Sequence, residues 1–179
     1  DENDTVWDMS SGWGGRLLGS IKAKVNYIGT DPNTKTMKGL KEMAKTFGNK
    51  VQSYELLTMG SEDYKPKKNS LDFAFTSPPY FDTERYSNEK TQSFLKFTNI
   101  ESWKDKFLRK TIDNVYRGLK QNKFMALNVA DVKNHYDGFE EDTVAIAESV
   151  GFKLVDTFDY VLSSQQSDSK SEPIYIFKK

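Results

Sequence analysis

Thr5-Val6-Trp7-Asp8-Met9-Ser10-Ser11-Gly12-Trp13-Gly14-Gly15-Arg16-Leu17-Leu18 is the stretch on which the fold turns. Thr5 to Met9 reads as a short buried strand, and Ser10 to Gly15 as a glycine-rich turn. Arg16 to Ala23 reads as a helix with Leu17, Leu18 and Ile21 on its inner face. Outward from this unit the alternation repeats. Val25 to Ile28 is a second strand ending in Gly29-Thr30-Asp31-Pro32-Asn33, with Asn33 or Thr34 as the cap of the next helix. In that helix Met37, Leu40, Ala44 and Phe47 recur at helical spacing, and Gly48 stops it. Val51 to Met59 holds a third strand and Leu71 to Thr76 a fourth, ended by Pro78 and Pro79, which cannot donate to a ladder. Residues 81–100 lack clean periodicity and read as a long loop. Trp103, Phe107, Leu108, Ile112, Val115 and Leu119 make a helical stripe, and Lys123 to Val129 a fifth strand. Asp142 to Val150 is a helix closed by Gly151; Phe152 to Leu162 and Pro173 to Lys178 are two final strands joined by a polar link at 163–171. Strands separated by helices predict an α/β fold, a mostly parallel sheet with helices on both faces. The last two strands have no helix between them, which predicts an antiparallel hairpin at one edge.

The 179 residues suit a single domain spanning 1–179. Lys plus Arg and Asp plus Glu both number 26, so no global basic field is available and nucleic-acid binding needs a local patch or another chain. There are no cysteines, which excludes disulfides, thiolate zinc sites and base methylation through a cysteine adduct. His135 is the only histidine and reads as a surface loop residue; no metal site is expected. No apolar run approaches the roughly 20 residues of a membrane span, and no secretory h-region follows Asp1, so a cytoplasmic protein is expected. The sequence starts at Asp1 rather than methionine, which predicts a further segment before it.

In a parallel sheet, ligands sit beyond the carboxyl ends of strands where strand order reverses. Gly12, Gly14 and Gly15 let backbone amides approach a ligand, and the following helix directs its N-terminal partial charge there. Asp8 before the turn suits a ligand amine and disfavours a pyrophosphate; Gly12-x-Gly14 also lacks the third glycine of a dinucleotide fingerprint. Asp31 stands near the spacing at which a carboxylate meets ribose hydroxyls. A nucleoside bearing an amino acid, such as S-adenosylmethionine, fits both features. Alone, these residues serve equally as a tight turn and a turn start. Glu62 and Asp63 after the third strand suit an adenine amino group, or are solvated charges.

Thr76-Ser77-Pro78-Pro79-Tyr80 is the most specific feature. Two prolines fix the backbone and leave carbonyls without competing local amides. The Ser77 hydroxyl and the Pro78 carbonyl suit the two hydrogens of one NH2 group, and Tyr80 offers a face on which a planar base stacks. Accepting both hydrogens frees the nitrogen lone pair for attack on a sulfonium methyl, with positioning and hydrogen bonding as the catalytic means. A base must first leave its stack to reach such a pocket. A plain strand-ending turn with a core tyrosine is the other reading of these five residues.

Taken in order, Asp8-x-Ser10-x-Gly12-x-Gly14-Gly15, Gly29-Thr30-Asp31-Pro32-Asn33 and Thr76-Ser77-Pro78-Pro79-Tyr80 resemble the amino-group (adenine-N6 and cytosine-N4) DNA methyltransferases, which use S-adenosylmethionine. The resemblance extends to Glu172-Pro173-Ile174-Tyr175-Ile176-Phe177-Lys178 and so covers nearly the whole chain. It implies a Rossmann-like class I fold with seven strands, the last inserted antiparallel. It implies that Asp8, Ser10, Gly12, Trp13 and Gly14 hold the methionine part, Asp31 and Pro32 the ribose, and Ser61 and Glu62 the adenine. Ser77, Pro78, Pro79 and Tyr80 would form the catalytic turn, with DNA as partner. Three departures stand out. The permuted motif order is excluded, the family's segment before the first strand would precede residue 1, and no stretch is long enough for a target-recognition domain. Recognition would then come from the missing segment, another chain or the 81–100 loop, where Phe81, Arg85 and Tyr86 are the candidate substrate contacts. Arg85 reads equally as a partner of Glu84 or Glu89. Lys65, Lys67, Lys68, Lys104, Lys106, Arg109 and Lys110 are candidate phosphate contacts, or a solvated face. Asn128 and Asp131 end the fifth strand at the same rim. RNA or a protein glutamine amide is the alternative acceptor, and a non-catalytic methyltransferase-like subunit the alternative role.

Overall fold

Alternate residues of the second strand enter two separate cores, and this places the sheet between two helical layers. In the computed structural model, which describes residues 1–132, 135–163 and 170–179, β1 (Thr5–Asp8) pairs in parallel with β2 (Asn26–Asp31) on one side and with β4 (Leu71–Thr76) on the other. Tyr27 of β2 is buried with Leu17, Met37, Leu40 and Leu56. Its neighbour Ile28 packs against the other cluster, built on Trp7, Leu71, Trp103, Ile112 and Phe177. Successive strand residues point to opposite faces, so the two clusters cover the two faces. The strand order is β3-β2-β1-β4-β5-β7-β6, with β3 Tyr54–Thr58, β5 Leu119–Asn128, β6 Lys153–Ser163 and β7 Lys170–Lys178. β7 lies between β5 and β6 and is antiparallel to both. The order reverses between β1 and β4, which makes the rim there the expected ligand crevice.

Helices α1 (Gly15–Ala23) and α2 (Thr34–Phe47) follow β1 and β2. Leu17 and Ile21, one turn apart, face the core, whereas Leu18 is turned outward and exposed. At the end of α2, Phe47 is exposed as well, so the predicted stripe ends at Ala44. Asn33 caps α2, its side chain accepting from the Thr36 amide at 3.1 Å. Val51 is exposed and β3 starts only at Tyr54. The segment read as one loop at 81–100 contains a short helix, α3 (Ser93–Lys96). Beyond it come α4 (Ile100–Trp103), a π-helical segment (Lys104–Arg109) and α5 (Lys110–Gly118). Leu119 does not continue that stripe: it is extended and opens β5. The helix ends on Gly118, where a Cβ would meet Pro66 Cγ at 2.5 Å and Leu71 Cδ1 at 2.7 Å, so only glycine fits there. The helix α6 (Phe139–Val150) starts earlier than predicted. Most of the predicted link at 163–171 lies outside the described residues.

At the base of the sheet, buried Asp72 accepts from the Thr5 amide at 3.1 Å and from Lys120 at 2.8 Å, with Lys123 3.3 Å away. Burial alone would raise its carboxyl; Lys120, the Thr5 amide and Lys123 outweigh that and hold it below the usual aspartate range. A carboxyl depressed by folding contributes stability above its unfolded pKa, and the contribution is lost as pH falls through the folded value. Asp72→Asn is therefore expected to lower urea stability at pH 7, with the gap from the parent closing below about pH 4. A gap constant from pH 7 to pH 3 would contradict the ionic account.

Candidate active site

The bend after β1 is fastened to the end of β2. The Ser11 amide donates to the Thr30 carbonyl at 3.0 Å and the Gly12 amide to Asp31 Oδ2 at 3.0 Å. Asp31 Oδ1 accepts from the Asn33 amide at 2.9 Å. Burial raises the Asp31 carboxyl and these two amides oppose the rise. Gly12 and Gly14 adopt left-handed φ values of 53° and 90°. At Gly14 a Cβ would also lie 2.7 Å from Leu40 Cδ2 and 2.9 Å from Met43 Sδ. Gly14→Ala is expected to cost about 1–3 kcal/mol in urea unfolding; a loss under about 0.5 kcal/mol would show the bend to be more plastic than drawn.

Asp8 was expected to meet a ligand amine, but the structure commits it elsewhere. It is 1% exposed and does not line the rim cavity. Its carboxylate accepts from Tyr27 Oη at 2.7 Å, Arg16 Nε at 2.8 Å and the Ser10 amide at 3.3 Å. Arg16 also donates to the Ser10 carbonyl, and its guanidinium lies 5.7 Å from the Phe75 ring centroid. Burial works against the Arg16 charge, but Asp8 outweighs it and holds the guanidinium above its ordinary value. Burial and the Asp8 charge push the Tyr27 hydroxyl far up, so it stays a donor. Arg16, which the sequence did not single out, lines the cavity in place of Asp8.

The cavity at the rim measures about 770 Å³, within the range of small-molecule sites. Ser10 to Gly15, Asp31, Pro32, Ser61 and Glu62 line it, and so do Ser77, Pro78, Pro79 and Tyr80. Strand order orients these groups: the ends of β1, β2 and β3 form one half, and those of β4, β5, β7 and β6 the other. In the first half Ser61 Oγ and Thr111 Oγ1 are 2.9 Å apart, and Asn114 donates to the Ser61 and Glu62 carbonyls. Glu62 is 2% exposed; Lys96 pairs with its Oε1, while its Oε2 is buried without a hydrogen-bond partner. Trp13 lies at the mouth, 83% exposed.

In the second half, Tyr80 packs edge-on against Phe139 at 5.0 Å. Burial pushes its hydroxyl up to about 12, and the nearby Ser77 side chain and Ala130 amide oppose the rise. The next residue, Phe81, has a left-handed φ of 51° and packs against Trp103, so it belongs to the core rather than to the cavity lining. Arg85 does not line the cavity either; it sits over Phe94 and 4.0 Å from Asp82, not beside Glu84 or Glu89. Tyr86 does, its hydroxyl raised by burial and by its hydrogen bond to Glu84. Glu84, Gln92, Asn128, Tyr160 and Glu172 complete the lining. Asn128 also donates to the Pro173 carbonyl at 3.1 Å. Asp131 is not at the cavity; it accepts from the Gly138 and Glu140 amides at the start of α6. Lys104 pairs with Glu101 and Asp142, and Arg109 lies near Asp105, so two of the candidate phosphate contacts have protein partners. His135 is exposed. Among the described residues no helix is long and apolar enough to cross a membrane, and no cluster of three or more metal-ligating side chains is present.

No protein-family model and no curated protein sequence matches the chain. Solved structures do. A S-adenosylmethionine-dependent methyltransferase from Methanosarcina mazei superposes with a TM-score of 0.66 at 15% identity, over 100% of this chain and 93% of that one. A TehB-like methyltransferase from Corynebacterium glutamicum gives 0.66 at 13%, over 100% and 82%. A cyclopropane synthase from Mycobacterium tuberculosis gives 0.63 at 11%, over 89% and 58%. With the seven-stranded order, the antiparallel β7 between β5 and β6 and these superpositions together, the chain has the class I, Rossmann-like fold of S-adenosylmethionine-dependent methyltransferases.

Proposed function

We propose that the protein binds S-adenosylmethionine and transfers its methyl group to the exocyclic amine of a DNA base, cytosine N4 or adenine N6. The observation that carries this is the shared cavity, which joins the glycine bend to the Ser77–Tyr80 turn. The residues of the first half fit the cofactor. The amides of Trp13 and Gly15 and the Arg16 guanidinium suit its amino-acid carboxylate, and Asp31 its ribose hydroxyls. Glu62 keeps a buried oxygen without a partner, as a site for an amino group would. When bound, S-adenosylmethionine supplies an electrophilic methyl on sulfonium sulfur. Ser77 Oγ and the Pro78 carbonyl accept the two amine hydrogens and orient the nitrogen lone pair at that carbon. Tyr80 stacks on the base and keeps its plane fixed. The new N–C bond forms as the C–S bond breaks with its pair left on sulfur, and one amine proton passes to solvent. Serine rather than an acid at the first position of the turn leans toward cytosine N4.

A second acceptor, a protein glutamine amide, is favoured by the carboxylates of Glu84 and Glu172 in the acceptor half, which suit a basic peptide better than phosphate. RNA is the third acceptor to compare. The test is tritium transfer from labelled cofactor to DNA, RNA and protein, with nucleoside and amino-acid analysis of the product. Label in N4-methylcytosine or N6-methyladenine, absent with Ser77→Ala, is expected. Label confined to protein or RNA would replace the acceptor. No label above the Ser77→Ala control on any acceptor, with the cofactor bound, would overturn the activity.

A further inference from the structure

Two residues of the cavity lining each hold a buried polar atom without a partner, and the two atoms are of complementary types. Glu62 Oε2 is an acceptor; Gln92 Nε2 is a donor, on a residue 6% exposed. Buried amides and carboxylates are nearly always paired, so each orphan calls for a missing group. Gln92 comes from the segment after the catalytic turn, and three contacts fasten that segment over the ends of β2 and β3. Glu89 accepts from the Thr34 amide and hydroxyl at 3.1 and 3.0 Å. Thr91 donates to the Pro32 carbonyl at 3.2 Å. Lys96 pairs with Glu62 and with Asp63. Gln92 caps the N-terminus of α3 and Lys96 ends it, so the two lie about one turn apart on one side of that helix. Lys96 holds Glu62, and Gln92 and Glu62 both belong to the cavity lining. A donor and an acceptor in one cavity match the edge of 6-aminopurine, whose N1 accepts and whose amino group donates.

We propose that Gln92 donates to N1 of the cofactor's adenine while Glu62 accepts from its 6-amino group, so that half of the purine reading comes from the segment beyond the catalytic turn. The inference rests on the cofactor reading above. It explains why an amide is buried there unpaired.

The test uses calorimetry with S-adenosylhomocysteine and with its 1-deaza counterpart, in which N1 is replaced by C–H. The parent protein is expected to bind the 1-deaza compound about tenfold more weakly. Gln92→Met, of similar length and apolar, is expected to bind S-adenosylhomocysteine about tenfold more weakly and to distinguish the two ligands no longer. The variant without ligand should melt no lower than the parent, because an unpaired buried donor is gone. A purely structural Gln92 would give the opposite: a lower melting temperature and full discrimination at N1. Equal affinity of the parent for both ligands would also overturn the assignment while leaving cofactor binding intact. Failure of the parent to bind S-adenosylhomocysteine at all would overturn the cofactor reading beneath it.

Discussion

Arg16→Met is expected to destabilise the protein by about 3 kcal/mol, near the lower end of what removing one partner of a buried ion pair costs. Asp8 is almost wholly inaccessible, and among the described residues Arg16 is its only cationic partner in contact. Tyr27 and the Ser10 amide remain to share the load, which keeps the figure from the upper end. For a chain of 179 residues this corresponds to a melting temperature about 6–12 °C lower. The double variant Arg16→Met with Asp8→Asn should recover part of the loss, since the stranded charge is then gone. Urea titration of the single and double variants measures both quantities. A single variant within about 0.5 kcal/mol of the parent, the ordinary scatter of surface substitutions, would mean that Asp8 is wetter than its burial indicates.

The largest kinetic effect is expected at Tyr80. Removing the ring leaves a planar acceptor without its stacking face, and a misplacement of about 1 Å costs roughly a hundredfold. Tyr80→Ala should therefore lower kcat by about a hundredfold or more, with the Kd for S-adenosylhomocysteine changed less than about threefold. Tyr80→Phe should retain most of the rate, because the ring and its edge contact with Phe139 survive and only the hydroxyl is lost. Rapid-quench single-turnover assays on the acceptor identified by label transfer give kcat for chemistry. Tyr80→Phe as slow as Tyr80→Ala would shift the role from the ring to the hydroxyl.

Much of the sheet could be read from the chain because it depends on local pattern. Thr5–Asp8, the glycine bend and Leu71–Thr76 carry their strand and turn signals within a few residues of themselves. Errors arose where a pattern continued past its physical support. Leu18 follows Leu17 in sequence, but it lies about 100° further round the helix, beyond the edge of the face that Leu17 and Ile21 bury. Leu119 keeps the helical spacing, yet the backbone turns extended there, directly after a glycine packed against Pro66 and Leu71. The signal was present, since glycine commonly marks a helix end.

The rim residues divide the same way. The bend and the Ser77–Tyr80 turn announce themselves by glycine and proline. Asp8 was assigned to a ligand because its partners were invisible: Tyr27 reaches it from the adjacent parallel strand, a contact no local spacing encodes. Glu84 and Gln92 escaped because residues 81–100 show no periodicity, and only tertiary contacts to Thr34, Pro32 and Glu62 lay that segment over the rim. An aperiodic stretch rich in acids, amides and aromatics directly after a diproline corner was the available clue.

The place of β7 also bears on synthesis. A nascent polypeptide that has emerged through β6 still lacks the strand that β5 and β6 both need, and each presents an open ladder to its surroundings. The sheet closes only when β7, which follows both in the chain, is threaded between them. A chain truncated before Lys170 lacks that strand and should be captured by chaperones or aggregate rather than persist as a smaller fold.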